Sequence, residues 1–240
     1  HTRTRRQRQM CIRDRYEGTL NVLKKINLEL EKGEKVALVG ESGSGKSVTT
    51  KLILGLLNQK NVFKNGNIIF KDRELINLSQ REFKKIRGNN ISIIFQDPIA
   101  ALNPVFKIKE QFFEVNCNGG KISKKDSFDK ACEALLKVSI RDPERVMESY
   151  PFQLSGGMAQ RVVITMAMIN NPDLLLADEP STALDVTVQN QALDLMDDLT
   201  KVTNTAVLLI THNMGVVRRF AEKVYVIYRG VIVEEGTKSQ

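Results

Sequence analysis

Eight consecutive residues, Gly40-Glu41-Ser42-Gly43-Ser44-Gly45-Lys46-Ser47, fit the spacing G-x-x-x-x-G-K-[ST]. Glycines at these intervals let the backbone curl until successive N–H groups face one anion. A helix starting where the glycines end adds a favourable dipole and unbonded amide donors. Lys46 has the length to reach the β- and γ-phosphates of a nucleotide, and the Ser47 hydroxyl is suited to ligate Mg²⁺. The chemistry implied is the cradling of a polyphosphate.

A second group of polar residues complements the first. Asp178-Glu179-Pro180 closes the apolar run Asp173–Ala177. Asp178 is suited to hold Mg²⁺ directly or through water, and Glu179 to polarise an attacking water. A solvated turn would also carry two acids; the company of the phosphate cradle favours the metal reading, because such a cradle needs a Mg²⁺ carboxylate on a neighbouring strand. Ser155-Gly156-Gly157 precedes an apolar stretch, Val162–Ile169, and reads as a second anion site at a helix start or as a glycine-rich cap. One nucleotide does not need two such sites from one chain, so the second would serve a nucleotide held by another subunit across a two-fold interface.

The elements that must position these groups are legible around them. Ile26, Leu28 and Leu30 alternate with polar residues as in a half-buried strand. Val36–Val39 is a short apolar run fit for a buried parallel strand, and Val48–Leu57 follows the cradle with helical spacing. Ile91–Phe95 and Ala206–Ile210 are further strands, ending just before Gln96 and His212. Taken alone, Gln96 is an ordinary polar residue and His212 a helix cap or solvated turn. Together with the cradle they fall at C-terminal strand ends, where open α/β sheets bind ligands. Between 98 and 153 the texture turns helical, with helices expected over Lys107–Val115, from a Ser123 cap to about Val138, and from Asp142-Pro143. Phe106, Phe112 and Phe113 are expected in its core rather than lining a groove.

The chain of 240 residues carries a net charge of +8. Six arginines against Asp14 place +5 of this in the first fifteen residues. That segment is expected to be a disordered arm, and Met10–Arg15 resembles a translated sequencing-library adapter, so residues 1–15 are read as non-native. No apolar run reaches the roughly 18 residues of a membrane span, and no apolar stretch follows the basic N-terminus as in a secretory signal. Three cysteines without metal spacing suit a reduced setting.

With these motifs in order, residues 17–240 resemble the ATP-binding subunits of ABC transporters. The matches are Gly40–Ser47 (Walker A), Gln96 (Q-loop), Leu154–Met158 (signature), Leu174–Glu179 (Walker B), Ser181–Asp185 (D-loop) and His212 (switch histidine). The resemblance implies an α/β fold: a P-loop NTPase (RecA-like) core with an antiparallel β-subdomain and an inserted α-helical subdomain. It implies ATP and Mg²⁺ as ligands, with Gly40, Glu41, Ser42, Gly43, Ser44, Gly45, Lys46, Ser47 and Val48 on the ATP. Ser47, Gln96 and Asp178 would serve the metal, and Glu179, His212, Gln96 and Lys46 would serve catalysis. Ser155, Gly156, Gly157 and Asp185 would reach the nucleotide of a partner.

Met158 in the signature, and Phe95–Pro104, look like the subunits of oligopeptide, dipeptide and related nickel importers. This implies hydrolysis of ATP to power import through two transmembrane permease subunits. A second ATP-binding subunit is expected, as a heterodimer more than a homodimer, with an extracytoplasmic solute-binding protein engaged indirectly and no nucleic acid. The place implied is the cytoplasmic face of the bacterial cell membrane, peripherally. The expected division is an ATP-binding core over 16–97 and 161–240 and a helical subdomain with the signature over 98–160. The family's adenine-stacking aromatic is expected near position 13, where Arg13 stands, and the chain reads as truncated at both ends. A chromosome-maintenance ATPase would need a long coiled coil between Gln96 and Ser155, where no heptads occur. A soluble P-loop kinase would not need the second anion site, and a nucleic-acid module would rest on the arm alone.

Overall fold

A computed structural model describes residues 9–14, 18–24, 26–57, 62–118, 120–180 and 186–237. The chain divides into two compact units, residues 1–83 with 208–240, and residues 84–207. This division differs from the expected boundaries at 97/98 and 160/161: 84–97 and 161–207 group with the helices rather than with the loop Gly40–Gly45. The reason is local pairing and packing within the second unit, set out below.

The first unit opens with β1 (Gln9–Asp14) and β2 (Gly18–Leu23), then β3 (Lys35–Val39) and α1 (Lys46–Ile53). After α1 come β4 (Val62–Asn65), the short hairpin β5 (Ile69–Phe70) and β6 (Arg73–Glu74), and α2 (Gln80–Ile86), which runs across the division. β1 pairs antiparallel with both β2 and β4. The expectation of a disordered arm is therefore corrected for Gln9–Asp14. Two strand edges offer its backbone hydrogen-bond partners, β2 along Met10–Asp14 and β4 along Gln9–Ile12, which offset the cost of ordering a charged segment. Residues 1–8, Arg15 and Tyr16 lie outside the described residues.

Ile26–Leu30 forms no strand, a second correction. Its side-chain alternation is real, with Ile26 and Leu28 buried. Its backbone meets a side chain, the Glu29 N–H donating to the Tyr225 hydroxyl at 3.3 Å. α1 is also shorter than the spacing implied, because Gly55 takes a left-handed φ of 61° directly after the Leu54 cap.

The second unit contains β7 (Ile91–Ile94), α3 (Pro98–Ala101), α4 (Ile108–Asn118), α5 (Lys124–Lys137) and α6 (Pro143–Glu148). A 3-10 turn at Pro151–Gln153 leads into α7 (Gly156–Met168), β8 (Leu174–Asp178) and α8 (Val186–Thr203). β7 and β8 pair in parallel, from Ile91 beside Leu174 to Ile94 beside Ala177. α7 packs on β7, α3, α5 and α8, which ties the strands to the helices. Its core face, Ala159, Val162 and Ile164, is wholly buried. The caps are those expected: Ser123 accepts from the Asp126 N–H at 3.1 Å, and Asp142 from the Arg145 N–H at 3.2 Å. The three phenylalanines divide. Phe112 is fully buried, whereas Phe106 is 49% exposed and shares a groove with Phe113.

The chain returns through β9 (Ala206–Thr211), buried along its length, α9 (Met214–Phe220), β10 (Lys223–Tyr228) and β11 (Val231–Thr237). β10 lies parallel to β3, with Val226 beside Val39, and antiparallel to β11. In this unit Ala37 and Val39 of β3 pack with Val217 and Ala221, closing a core behind the phosphate loop. No helix among the described residues is long and apolar enough to cross a membrane.

Candidate functional site

In the first unit, β3 delivers the chain into the loop Gly40–Gly45 and α1 receives it at Lys46. A Cβ at Gly40 would lie 2.2 Å from the Ile227 carbonyl oxygen, so β10 leaves room only for glycine there. Gly45 caps α1 at a φ of 109°, and a Cβ on it would meet Leu23 at 2.6 Å.

The loop's carbonyls are tied down. Lys46, itself buried, donates from Nζ to the Gly40 and Glu41 oxygens, each at 2.8 Å. The Ser44 carbonyl accepts from the Gly230 N–H at 2.9 Å. Across a trans peptide the N–H points opposite to the C=O. Fixing the carbonyls of Gly40, Glu41 and Ser44 on one side therefore turns the N–H groups of Glu41, Ser42 and Gly45 to the other. Glu41, Ser42 and Gly43 are exposed, as is Ser47 in the first turn of α1, while Val48 is half-buried. The result is a loop suited to cradle an anion, with its amide donors oriented through the carbonyls that Lys46 and Gly230 hold.

His212 stands one residue past β9 and is exposed. It is not the cap of α9. Asn213 fills that role, its side-chain oxygen accepting from Gly215 at 2.9 Å and Val216 at 3.4 Å. His212 is thus placed at a strand end with its capping alternative already taken.

In the second unit, Asp178 is the last residue of β8 and Glu179 the next. Continuing the β7–β8 register two residues sets Gln96 opposite Glu179, and the Gln96 Nε2 donates to Glu179 Oε2 at 3.2 Å. Glu179 has a φ of 48°, a left-handed conformation that costs a side-chain-bearing residue about 1–2 kcal/mol. Such strain persists only where its surroundings enforce it. Ser155 caps α7, accepting from the Met158 N–H at 3.3 Å. A Cβ at Gly157 would meet only Val188 at 3.5 Å, an ordinary contact. Packing among the described residues therefore gives no reason for this glycine, which costs the helix about 1 kcal/mol. Asp185 lies outside the described residues.

The two units thus present two sets. The first holds Gly40–Val48 and His212; the second holds Gln96 against Glu179, with Asp178 adjoining, and Ser155–Gly157 at the head of α7. Ser47 and Asp178 are a hydroxyl and a carboxylate, the hard oxygen donors that Mg²⁺ takes in small number alongside substrate phosphates. Among the described residues no group of three or more His, Cys, Asp or Glu could hold a metal by itself. One contact beside Glu179 was not anticipated from the sequence: the Gln160 side chain donates to the Pro180 carbonyl at 2.8 Å.

A family model described as "ABC transporter" matches residues 23–182. The oligopeptide transport ATP-binding protein OppD of Bacillus subtilis is 48% identical over 223 residues, 92% of this chain and 62% of that protein. The dipeptide transport ATP-binding protein DppD of Lactococcus lactis is 47% identical over 92% of this chain and 64% of its own length. The chain spans somewhat under two thirds of the length of these relatives. Among solved structures, the ATP-binding cassette MJ0796, a dimer in a post-hydrolysis state bound to ADP and Pi, superposes with a TM-score of 0.82. It is 28% identical, and the match covers 97% of each chain.

Proposed function

Because the chain belongs to the ABC transporter family, we propose that it is the ATP-hydrolysing subunit of a peptide importer. The observation that carries this reading is the cradle, in which Lys46 and Gly230 fix the loop carbonyls and so turn the opposing amides outward. ATP binds with its phosphates on these amides, and Lys46 exchanges two loop carbonyls for phosphate oxygens. Ser47 and Asp178 would hold Mg²⁺, which neutralises charge on the phosphates when bound. Glu179, oriented by Gln96, takes a proton from the attacking water and lines it up with the terminal phosphorus. His212 contacts the terminal phosphate, and the protein supplies mainly position and electrostatic stabilisation.

Ser155, Gly156 and Gly157 meet a nucleotide held by a second ATP-binding subunit. The otherwise unexplained glycine at 157 supports this, since a helix start without a Cβ admits close approach. The resemblance to oligopeptide and dipeptide transport ATP-binding proteins supports a peptide cargo. The second subunit is a different ATP-binding chain, making a heterodimer. Two transmembrane permeases are the partners, and they place the chain peripherally on the cytoplasmic face of the membrane. A groove of about 780 Å³ on the second unit, with Phe106, Phe113, Phe128, Lys109 and Glu148 in its walls, suits a short amphipathic segment of such a permease.

The test is phosphate release from MgATP by the purified chain and by Glu179→Gln. Turnover in the variant should fall by about 10²-fold or more while ATP binding persists. A wild-type chain that fails to bind ATP, or a variant that turns over like wild type, refutes the reading.

A further inference from the structure

Gln160 lies on α7 and is 1% exposed. Its Nε2 donates to the Pro180 carbonyl at 2.8 Å, and its Oε1 accepts no hydrogen bond among the described residues. A buried amide with its acceptor unused is costly, and an apolar side chain of the same shape would avoid that cost. Packing alone therefore does not account for glutamine here. The bond it does make is to the residue directly after Glu179.

Glu179 needs such an anchor. Its φ of 48° is a conformation the backbone leaves unless held. Its side chain accepts an exposed hydrogen bond from Gln96 at 3.2 Å. On its C-terminal side the ring of Pro180 restricts the backbone, and Gln160 fixes the carbonyl that follows. Gln160 lies in a stretch of α7 where Ala159 and Val162 are also wholly buried. We propose that Gln160 is a positioning residue for Glu179, holding it in its strained conformation and tying it mechanically to the helix that begins at Ser155-Gly156-Gly157. A shift of α7 on engagement of its N-terminus is then transmitted to Glu179 through one hydrogen bond.

This inference rests on the reading of Glu179 as the group that orients water in ATP hydrolysis. The test uses the full chain and Gln160→Met, whose side chain keeps the shape but has neither the donor nor the unsatisfied acceptor. Turnover of MgATP should fall about tenfold or more, with ATP affinity and melting temperature unchanged. Wild-type turnover overturns the proposal. So does a loss of turnover matched by loss of ATP affinity or of folding, which would mark Gln160 as a packing residue.

Gln160→Glu supplies a second readout. Its protonated carboxyl can donate to the Pro180 carbonyl, whereas its carboxylate cannot. Its turnover relative to wild type should therefore decline as pH rises, and a pH-independent ratio overturns the proposal. Failure of the underlying reading is separate, since it appears as wild-type turnover in Glu179→Gln.

Discussion

In the first unit the phosphate loop has its carbonyls tied to Lys46 and Gly230 and two glycines with no room for a Cβ. In the second unit Glu179 accepts from the exposed amide of Gln96, and the carbonyl of the next residue, Pro180, accepts from Gln160. The loop is fixed by close packing at Gly40 and by the Gly230 backbone bond, with Lys46 adding two bonds to its carbonyls. Glu179 sits in a strained conformation supported by a few replaceable side-chain bonds, so it can be switched by small movements. The loop is thus built into the fold, whereas the Glu179 carboxylate is left adjustable.

Substitutions can break this contrast. Gly40→Ala should have the largest effect on stability, about 3 kcal/mol or more, because its Cβ would stand 2.2 Å from the Ile227 carbonyl oxygen. Urea denaturation would show it, and a loss under 1 kcal/mol would mean that the loop yields more easily than its packing implies. Gln96→Ala should act in the opposite manner. It removes the Glu179 contact and lowers turnover about tenfold, yet leaves stability within about 0.5 kcal/mol because Gln96 is exposed. Parallel losses of turnover and stability in that variant would erase the distinction between the two regions.

The smallest effect lies away from both. Hydrogen bonds from Lys109 and then Lys107 hold the Glu148 carboxyl below the usual carboxylate range. A carboxylate with a depressed pKa contributes stability above its unfolded pKa and loses it as pH falls through the folded value. Glu148→Gln should therefore shift the urea midpoint slightly at neutral pH, and the shift should vanish on acidification. A shift that grows in acid would contradict the assignment.

Much of the site was legible because its signals are local. Glycine spacing between a buried run and an amphipathic one marks a turn that only a few conformations satisfy, and the loop Gly40–Ser47 lies as that spacing implies. Gln96 and Glu179 were legible as strand-end residues, and the β7–β8 register sets them opposite each other. What escaped depends on distant partners. Gln160 looks like any polar residue on an amphipathic helix until Pro180 comes within 2.8 Å of it. Gln9–Asp14 reads as a charged arm because charge dominates its composition, but the edges of β2 and β4 decide its backbone. Ile26–Leu30 has a strand's alternation and no ladder, since Tyr225 supplies its partner.

The hairpin turn at Gly230 has a consequence in time. Its N–H clamps the Ser44 carbonyl, and its own carbonyl accepts from the Lys24 N–H at 2.7 Å. Both partners are made early in synthesis, whereas β10, β11 and the turn between them come from far downstream. Lys46 can tie the Gly40 and Glu41 carbonyls early, whereas the Ser44 carbonyl waits until the hairpin has emerged and folded back, a closure of high contact order. A nascent chain halted before Gly230 carries the whole G-x-x-x-x-G-K-S motif yet lacks this last tie.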